Sequence, residues 1–298
     1  MNDEIFLKYP DAIVNCEWLN KNLNNPDIRI YDCTTYLHYR DKDPSLPYIV
    51  ESGREKYDLN HIPNSSFLDL QYQLSDQDSP YRFTLPKLEI LAESFSKLGV
   101  GDPFHIILYS RNGSQWSARL WWMLRAVGFD KVSILDGGFN EWERLGFITS
   151  NVNFSFPASN LTFLPRDDIF VNKDTVKDAI NDNNTKILNS LTSDIHSGNN
   201  PRYGRHGRIP NSLNIPFHEL LDTKSGKFKN IKELSKLFFD KNIFKNQKVL
   251  NYCGGGIAAS LEAFILYQLG FQNIMIYDNS LSEWAKDENL PIEKDLKF

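Results

Sequence analysis

The sequence predicts an α/β protein made of two homologous domains, each a mainly parallel sheet with helices on both faces. Three observations carry this expectation. The 298 residues are about two ordinary domains of roughly 150 residues each. Short β-rich apolar runs alternate with longer helix-spaced patterns. One half of the chain also repeats the other.

The repeat is read from matched blocks in a constant order. Ile62-Pro63-Asn64-Ser65 returns as Ile209-Pro210-Asn211-Ser212, Gly128-Phe129 as Gly270-Phe271, Asp136 as Asp278, and Glu141-Trp142 as Glu283-Trp284. Ile30-Tyr31-Asp32-Cys33 corresponds to Ile187-Leu188-Asn189-Ser190. Residues 1–150 form the expected first domain and 166–298 the second. Residues 151–165, polar and punctuated by proline and asparagine, form the linker.

Within the first copy, Ile28 to Tyr31, His105 to Tyr109 and Val132 to Leu135 read as strands. Pro86 to Leu98, with Leu88, Leu91, Phe95 and Leu98 on one face, reads as a helix. The second copy follows the same plan. Lys186 to Leu188, Lys248 to Asn251 and Asn273 to Tyr277 are expected strands, and Lys232 to Phe239 and Ile257 to Leu269 expected helices. Such alternation favours parallel sheets buried on both faces.

Composition narrows the function. With 41% hydrophobic and 13% aromatic residues the chain can build real cores, which excludes a largely disordered protein. Lys+Arg total 33 against 38 Asp+Glu, a net charge of −5, so no nucleic-acid or anionic-membrane partner is expected. Cys16, Cys33 and Cys253 are too few for a disulfide framework and fit a reducing, cytoplasmic setting. The acidic start, Met1 to Phe6, does not read as a secretory leader, and no apolar run is long enough to span a bilayer.

The chemistry concentrates in Val249-Leu250-Asn251-Tyr252-Cys253-Gly254-Gly255-Gly256-Ile257-Ala258-Ala259-Ser260. A β-like run ends at a cysteine, three glycines follow, and a helix begins. The carboxyl end of a parallel strand leading into a helix N-terminus is a favoured ligand site. Glycines let successive N–H groups curl around one atom, and the helix terminus adds partial positive charge. Cys253 in a cradle of Gly254, Gly255, Gly256, Ile257 and Ala258 is therefore the candidate nucleophile. Cys16 and Cys33 have no such cradle and read as structural. A cysteine phosphatase would carry an arginine where Ala259 stands, a P-loop would end in Lys-Ser/Thr, and a thioredoxin-type pair needs cysteine at Gly256. No clustered spacing points to a metal.

These residues resemble the tandem-domain rhodanese-like sulfurtransferases. The resemblance extends to Ser75-Asp76-Gln77-Asp78-Ser79-Pro80-Tyr81 with Leu85-Pro86, to Ala118 through Arg125, and to Leu135 through Trp142. Gly207-Arg208-Ile209-Pro210-Asn211-Ser212 is similar to the family's Gly-His-Ile-Pro-Gly, with arginine and asparagine as departures. The resemblance implies a persulfide on Cys253, loaded from a small anionic donor (thiosulfate or 3-mercaptopyruvate) and unloaded onto cyanide or a thiol, with no cofactor. It also implies a catalytically silent first domain, with Arg111 at the position of Cys253. The loop is nearer the mercaptopyruvate branch, but Gly255 replaces that branch's serine, and Gln71 and Phe83 replace its Asp and His. Arg202 and Arg205 are the expected substrate-binding cations, with His196 and Arg111 as further candidates. Trp116, Trp121 and Trp122 read as packing. The alternative from another class is a non-enzymatic binding or sulfur-relay module of the same fold.

Overall fold

The computed structural model describes residues 6–40 and 46–295. Part of the stretch bearing on a leader, Met1 to Ile5, lies outside these. Among the described residues, twelve strands form two five-stranded parallel sheets and one hairpin. In the first half they are β1 (Ile13–Val14), β2 (Ile28–Asp32), β3 (Thr35–Tyr39), β4 (Tyr48–Ser52), β5 (Ser65–Phe67), β6 (His105–Tyr109) and β7 (Val132–Leu135). In the second half they are β8 (Phe170–Val171), β9 (Thr185–Asn189), β10 (Leu213–Asn214), β11 (Lys248–Tyr252) and β12 (Ile274–Tyr277). The sheet orders are β1-β7-β6-β2-β5 and β8-β12-β11-β9-β10, the same topology twice. The two halves are therefore two α/β units of one topology.

The repeat reaches down to single hydrogen bonds. Tyr109 and Tyr252 end equivalent strands, and each hydroxyl receives the N–H of the isoleucine in its Ile-Pro-Asn-Ser block, at 3.3 Å from Ile62 and 3.2 Å from Ile209. Each hydroxyl also meets the serine of that block, Ser65 at 3.0 Å and Ser212 at 2.9 Å. Asn64 and Asn211 turn at φ 61° and 62°. Asparagine enters this left-handed region with little strain, which is how it stands in for the glycine of the family pattern.

Between the sheets, the Gln115–Ala126 and Ile257–Gln268 helices pack together across the two halves. The second is apolar on most of its circumference, as a helix sealed on nearly every side should be. Trp122 donates its indole N–H to Ser260 O at 3.1 Å, and Trp121 stacks edge-on against Trp122 and Phe264. Two repeat-related aspartates clasp the opposite half: Asp136 accepts from Phe228 N at 2.9 Å, and Asp278 from Leu85 N at 2.8 Å. Residues 151–169 carry no helix or strand but lie on the first unit, with Ser159 N to Ser96 O at 3.0 Å and Leu164 N to Val127 O at 3.0 Å.

The expected strands all appear: His105–Tyr109 and Val132–Leu135 have the expected bounds, and the other four differ by one residue at one or both ends. The helix expected from Pro86 begins at Leu88. The β3–β4 hairpin was not anticipated, because its alternation is weak: both strands carry partly buried residues on either face.

Glu262 is wholly buried in the Ile257–Gln268 helix and accepts from Ser190 Oγ. Burial pushes its carboxyl well above the usual carboxylate range. A raised folded-state value gives stability that is complete below the unfolded value of about 4.5 and lost as pH rises towards the folded one. Glu262→Gln should therefore gain on the unaltered protein as pH rises from about 4.5. Thermal melts of both proteins across that range check this; parallel curves would contradict it.

Candidate active site

The second sheet reverses its strand order between β9 and β11. β10 lies beyond β9 on one side, and β11 and β12 extend on the other. A crevice opens at the carboxyl ends of such neighbours. Cys253 is the residue immediately after β11 and stands at this switch point. Its carbonyl accepts from Leu281 N at 3.1 Å, Gly254 O accepts from Ser282 N at 2.9 Å, and Cys253 N donates to Ser280 Oγ at 3.0 Å. Among the described residues, the N–H groups of Gly254, Gly255, Gly256, Ile257 and Ala258 have no acceptor. Five unpaired amides following one another into a helix N-terminus form an anion-binding curve of backbone.

Two glycines of this loop are obligatory. Gly256 turns at φ +76°, and a Cβ there would lie 2.6 Å from Asp278 O and 2.8 Å from Arg119 Nη1. A Cβ on Gly254 would collide with the Tyr203 hydroxyl and lie 2.6 Å from its ring Cε1. Any larger residue after Cys253, including the arginine of thiosulfate-type loops, would have to displace Tyr203. Gly255 is roomier: its Cβ would be 3.3 Å from Tyr48 Oη.

Cys253 is 2% exposed and lines a cavity of about 230 Å³ shared by both halves. The hairpin contributes Leu37, Tyr39 and Tyr48. Phe83, Asn112, Gln115 and Trp116 complete the first-domain wall, and Leu191, Tyr203 and Phe217 face them. Among the described residues, no carboxylate, imidazole, ammonium or guanidinium lines it. The expectation that Trp116 only packs is thus corrected: it is cavity wall, whereas Trp121 and Trp122 pack between the halves.

The expected cations are placed differently from one another. Arg202 holds its guanidinium carbon 4.1 Å from the centroid of the Tyr39 ring, one ring away from the cavity. Arg205 is a correction. Its nitrogens donate to Ala285 O at 3.0 Å, Leu290 O and Trp284 O at 2.9 Å and Asp287 O at 2.8 Å. Four carbonyls take four of its five N–H donors, so it ties the C-terminal segment and does not line the cavity. His196 does not line the cavity; burial, then the nearby Arg208 charge, lowers its pKa to about 4, so it is neutral near pH 7. Arg111 faces Asp32 at 3.4 Å, bonds Asn60 and stacks 3.7 Å from the centroid of Phe139, a loop cap within the first unit.

Strand register also corrects the alignment of the two loops. Asp32 pairs with Tyr109 as Asn189 pairs with Tyr252, and Phe139 N reaches Ser110 O as Leu281 N reaches Cys253 O. Ser110, and not Arg111, therefore occupies the position of Cys253; the first loop is one residue longer before its helix.

Gln71 and Phe83 do come together, through Phe83 N to Gln71 Oε1 at 3.1 Å. Neither an amide nor a phenyl ring can carry a proton at neutral pH. Tyr39, Tyr48, Tyr203 and Ser280 were missed by sequence reasoning; tyrosine and serine are too common for position alone to mark them. Cys16 and Cys33 are buried, the first with its thiol pushed up to about 12 by burial and the second pushed further, as inert cysteines are. Among the described residues no cluster of metal-binding side chains occurs, and no helix is long and apolar enough to cross a membrane.

The rhodanese-like domain family matches residues 15–145 and 172–287 of this sequence. The chain belongs to the rhodanese-like family. Its relatives include the 3-mercaptopyruvate sulfurtransferase of Escherichia coli K12, 30% identical over 94% of this chain and 97% of that protein. The 3-mercaptopyruvate sulfurtransferase of Homo sapiens is 31% identical over 92% of this chain and 91% of that one. The crystal structure of SseA from Escherichia coli superposes with a TM-score of 0.76 at 28% identity, covering 90% of this chain and 98% of that one. This rhodanese-like protein is a sulfurtransferase enzyme.

Proposed function

We propose that the enzyme takes a sulfane sulfur from a small anionic donor, carries it as a persulfide on Cys253, and passes it to cyanide or a thiol. The observation that carries this reading is the Cys253 side chain on the wall of a cavity, at the head of five amides without acceptors. In the loading step the Cys253 thiolate attacks the donor sulfur. A sulfur–sulfur bond forms and the donor's bond to that sulfur breaks. From mercaptopyruvate, the bonding pair departs on carbon as an enolate, which takes up the donor's thiol proton and leaves as pyruvate. The persulfide remains as an anion over the amides of Gly254 to Ala258. In unloading, the acceptor attacks the outer sulfur and the Cys253 thiolate returns.

Mercaptopyruvate suits the site better than thiosulfate. Among the described residues the cavity wall has no cation to compensate a dianion, and Tyr203 fills the space that an arginine after Cys253 would need. Arg202, beside Tyr39, is the proposed attractor for the donor's carboxylate. Residues 1–150 serve as the silent wall and 166–298 as the catalytic domain, with 151–165 between them. The chemistry needs no cofactor, and a reducing compartment such as the cytoplasm keeps the thiol available.

The test is donor treatment followed by peptide mass analysis, with steady-state kinetics on both donors. A gain of one sulfur on the Cys253 peptide, removed by cyanide or a thiol over many turnovers, is expected, with kcat/KM favouring mercaptopyruvate. Sulfur on another residue would sink the proposal, and loading without repeated turnover would favour a relay module.

A further inference from the structure

The cavity holds several polar side chains besides Cys253, and most of their donors are committed. Asn112 Nδ2 donates to Thr35 O at 2.7 Å, and Gln115 Nε2 to Asn112 O at 3.0 Å. Tyr48 has Ser282 beside its hydroxyl, opposing the burial that raises its pKa, and Tyr39 packs under Arg202. Tyr203 differs. It is 4% exposed, its hydroxyl presses on Gly254 next to Cys253, and that hydroxyl has no hydrogen-bond partner among the described residues. This phenol lines the cavity and borders the space where a charged sulfur would sit.

We propose that the Tyr203 hydroxyl donates a hydrogen bond to the charged outer sulfur of the persulfide on Cys253 as that sulfur arrives in the cavity. This rests on the persulfide reading above. The phenol does here what the Gln71–Phe83 pair cannot, since neither an amide nor a phenyl ring supplies an acidic donor to that sulfur. Tyr203 is also well suited to remain a donor: burial, with Tyr39, Tyr48 and Cys253 nearby, pushes its pKa well above the ordinary phenol value, so it keeps its proton throughout the working pH. No proton changes owner; the hydrogen bond stabilises negative charge as it moves from the inner to the outer sulfur.

The test is Tyr203→Phe, which keeps the ring against Gly254 and removes only the oxygen. A hydrogen bond to a charged group corresponds to a fall in kcat, and in the single-turnover rate of sulfur loading, of about 10- to 100-fold. KM should stay within about twofold, since the interaction strengthens in the transition state. The melting curve should be unchanged, and fluorotyrosine at the same position, which restores the donor, should restore the rate. Unchanged kcat, a rise in KM alone, or failure of fluorotyrosine to rescue would overturn the assignment. The two readings separate cleanly: Tyr203→Phe still accumulates sulfur on Cys253 slowly, whereas an unaltered chain with no sulfur on Cys253 would refute the persulfide itself.

Discussion

Replacing Cys253 with serine is expected to lower turnover with any sulfur donor by about a thousandfold or more, because a hydroxyl at neutral pH is neither an anionic nucleophile nor a carrier of sulfane sulfur. The fold should be unaffected. The side chain is 2% exposed and serine differs from it by one atom, while the loop is held by bonds that do not involve the sulfur: Cys253 N to Ser280 Oγ, Leu281 N to Cys253 O, and Ser282 N to Gly254 O. Melting temperature and turnover, measured together on Cys253→Ser, check this. A serine variant with appreciable turnover and sulfur still appearing on the protein would show that Cys16 or Cys33 does the chemistry. Both are buried with raised thiol pKa values, which opposes that outcome.

Arg119→Met should be the most destabilising single change outside the core, by about 3–5 kcal/mol. Arg119 has no exposed side chain, and it pairs with Asp278 Oδ1 at 2.5 Å and Phe83 O at 2.8 Å. Its guanidinium also lies 4.5 Å from the centroid of Phe170. It therefore ties the first-half helix to the end of β12 and to the strained backbone of Phe83, at φ 64°. Methionine keeps much of the volume but leaves Asp278 with Leu85 N as its remaining partner across the halves. The Gly256 turn packs on both partners, so sulfur transfer should fall as well. Asp278→Asn should cost less, and the double variant less than the sum, as expected for one shared pair. Denaturation of the three variants checks this; strict additivity would remove the pair from the account.

Much of this protein is legible one-dimensionally, because repetition and periodicity are properties of a string. The matched blocks around Ile62 and Ile209, and around Asp136 and Asp278, reflect equivalent bonds in two copies of one topology. The cysteine followed by three glycines and helix formers specifies a strand end, a curled loop and a helix start through local backbone preference alone. Arg205 was illegible for the opposite reason. A guanidinium in a polar loop looks the same whether it faces a substrate or four carbonyls, and only the C-terminal segment folding back over it decides. Ser110 and Arg111 could not be ranked without strand register, since one inserted loop residue shifts the match.

The sequence by itself determined the duplicated α/β plan, the single cradle with a thiol, and the absence of a cationic residue within that loop, all consequences of local chemistry. The tertiary structure alone decided that a hairpin from the other half lines the cavity, that Tyr203 stands against Gly254 next to Cys253, and that Arg205 is bound to carbonyls of the C-terminal segment. Those facts depend on residues far apart in the chain meeting at one point, and side-chain identity carries no record of its distant neighbours.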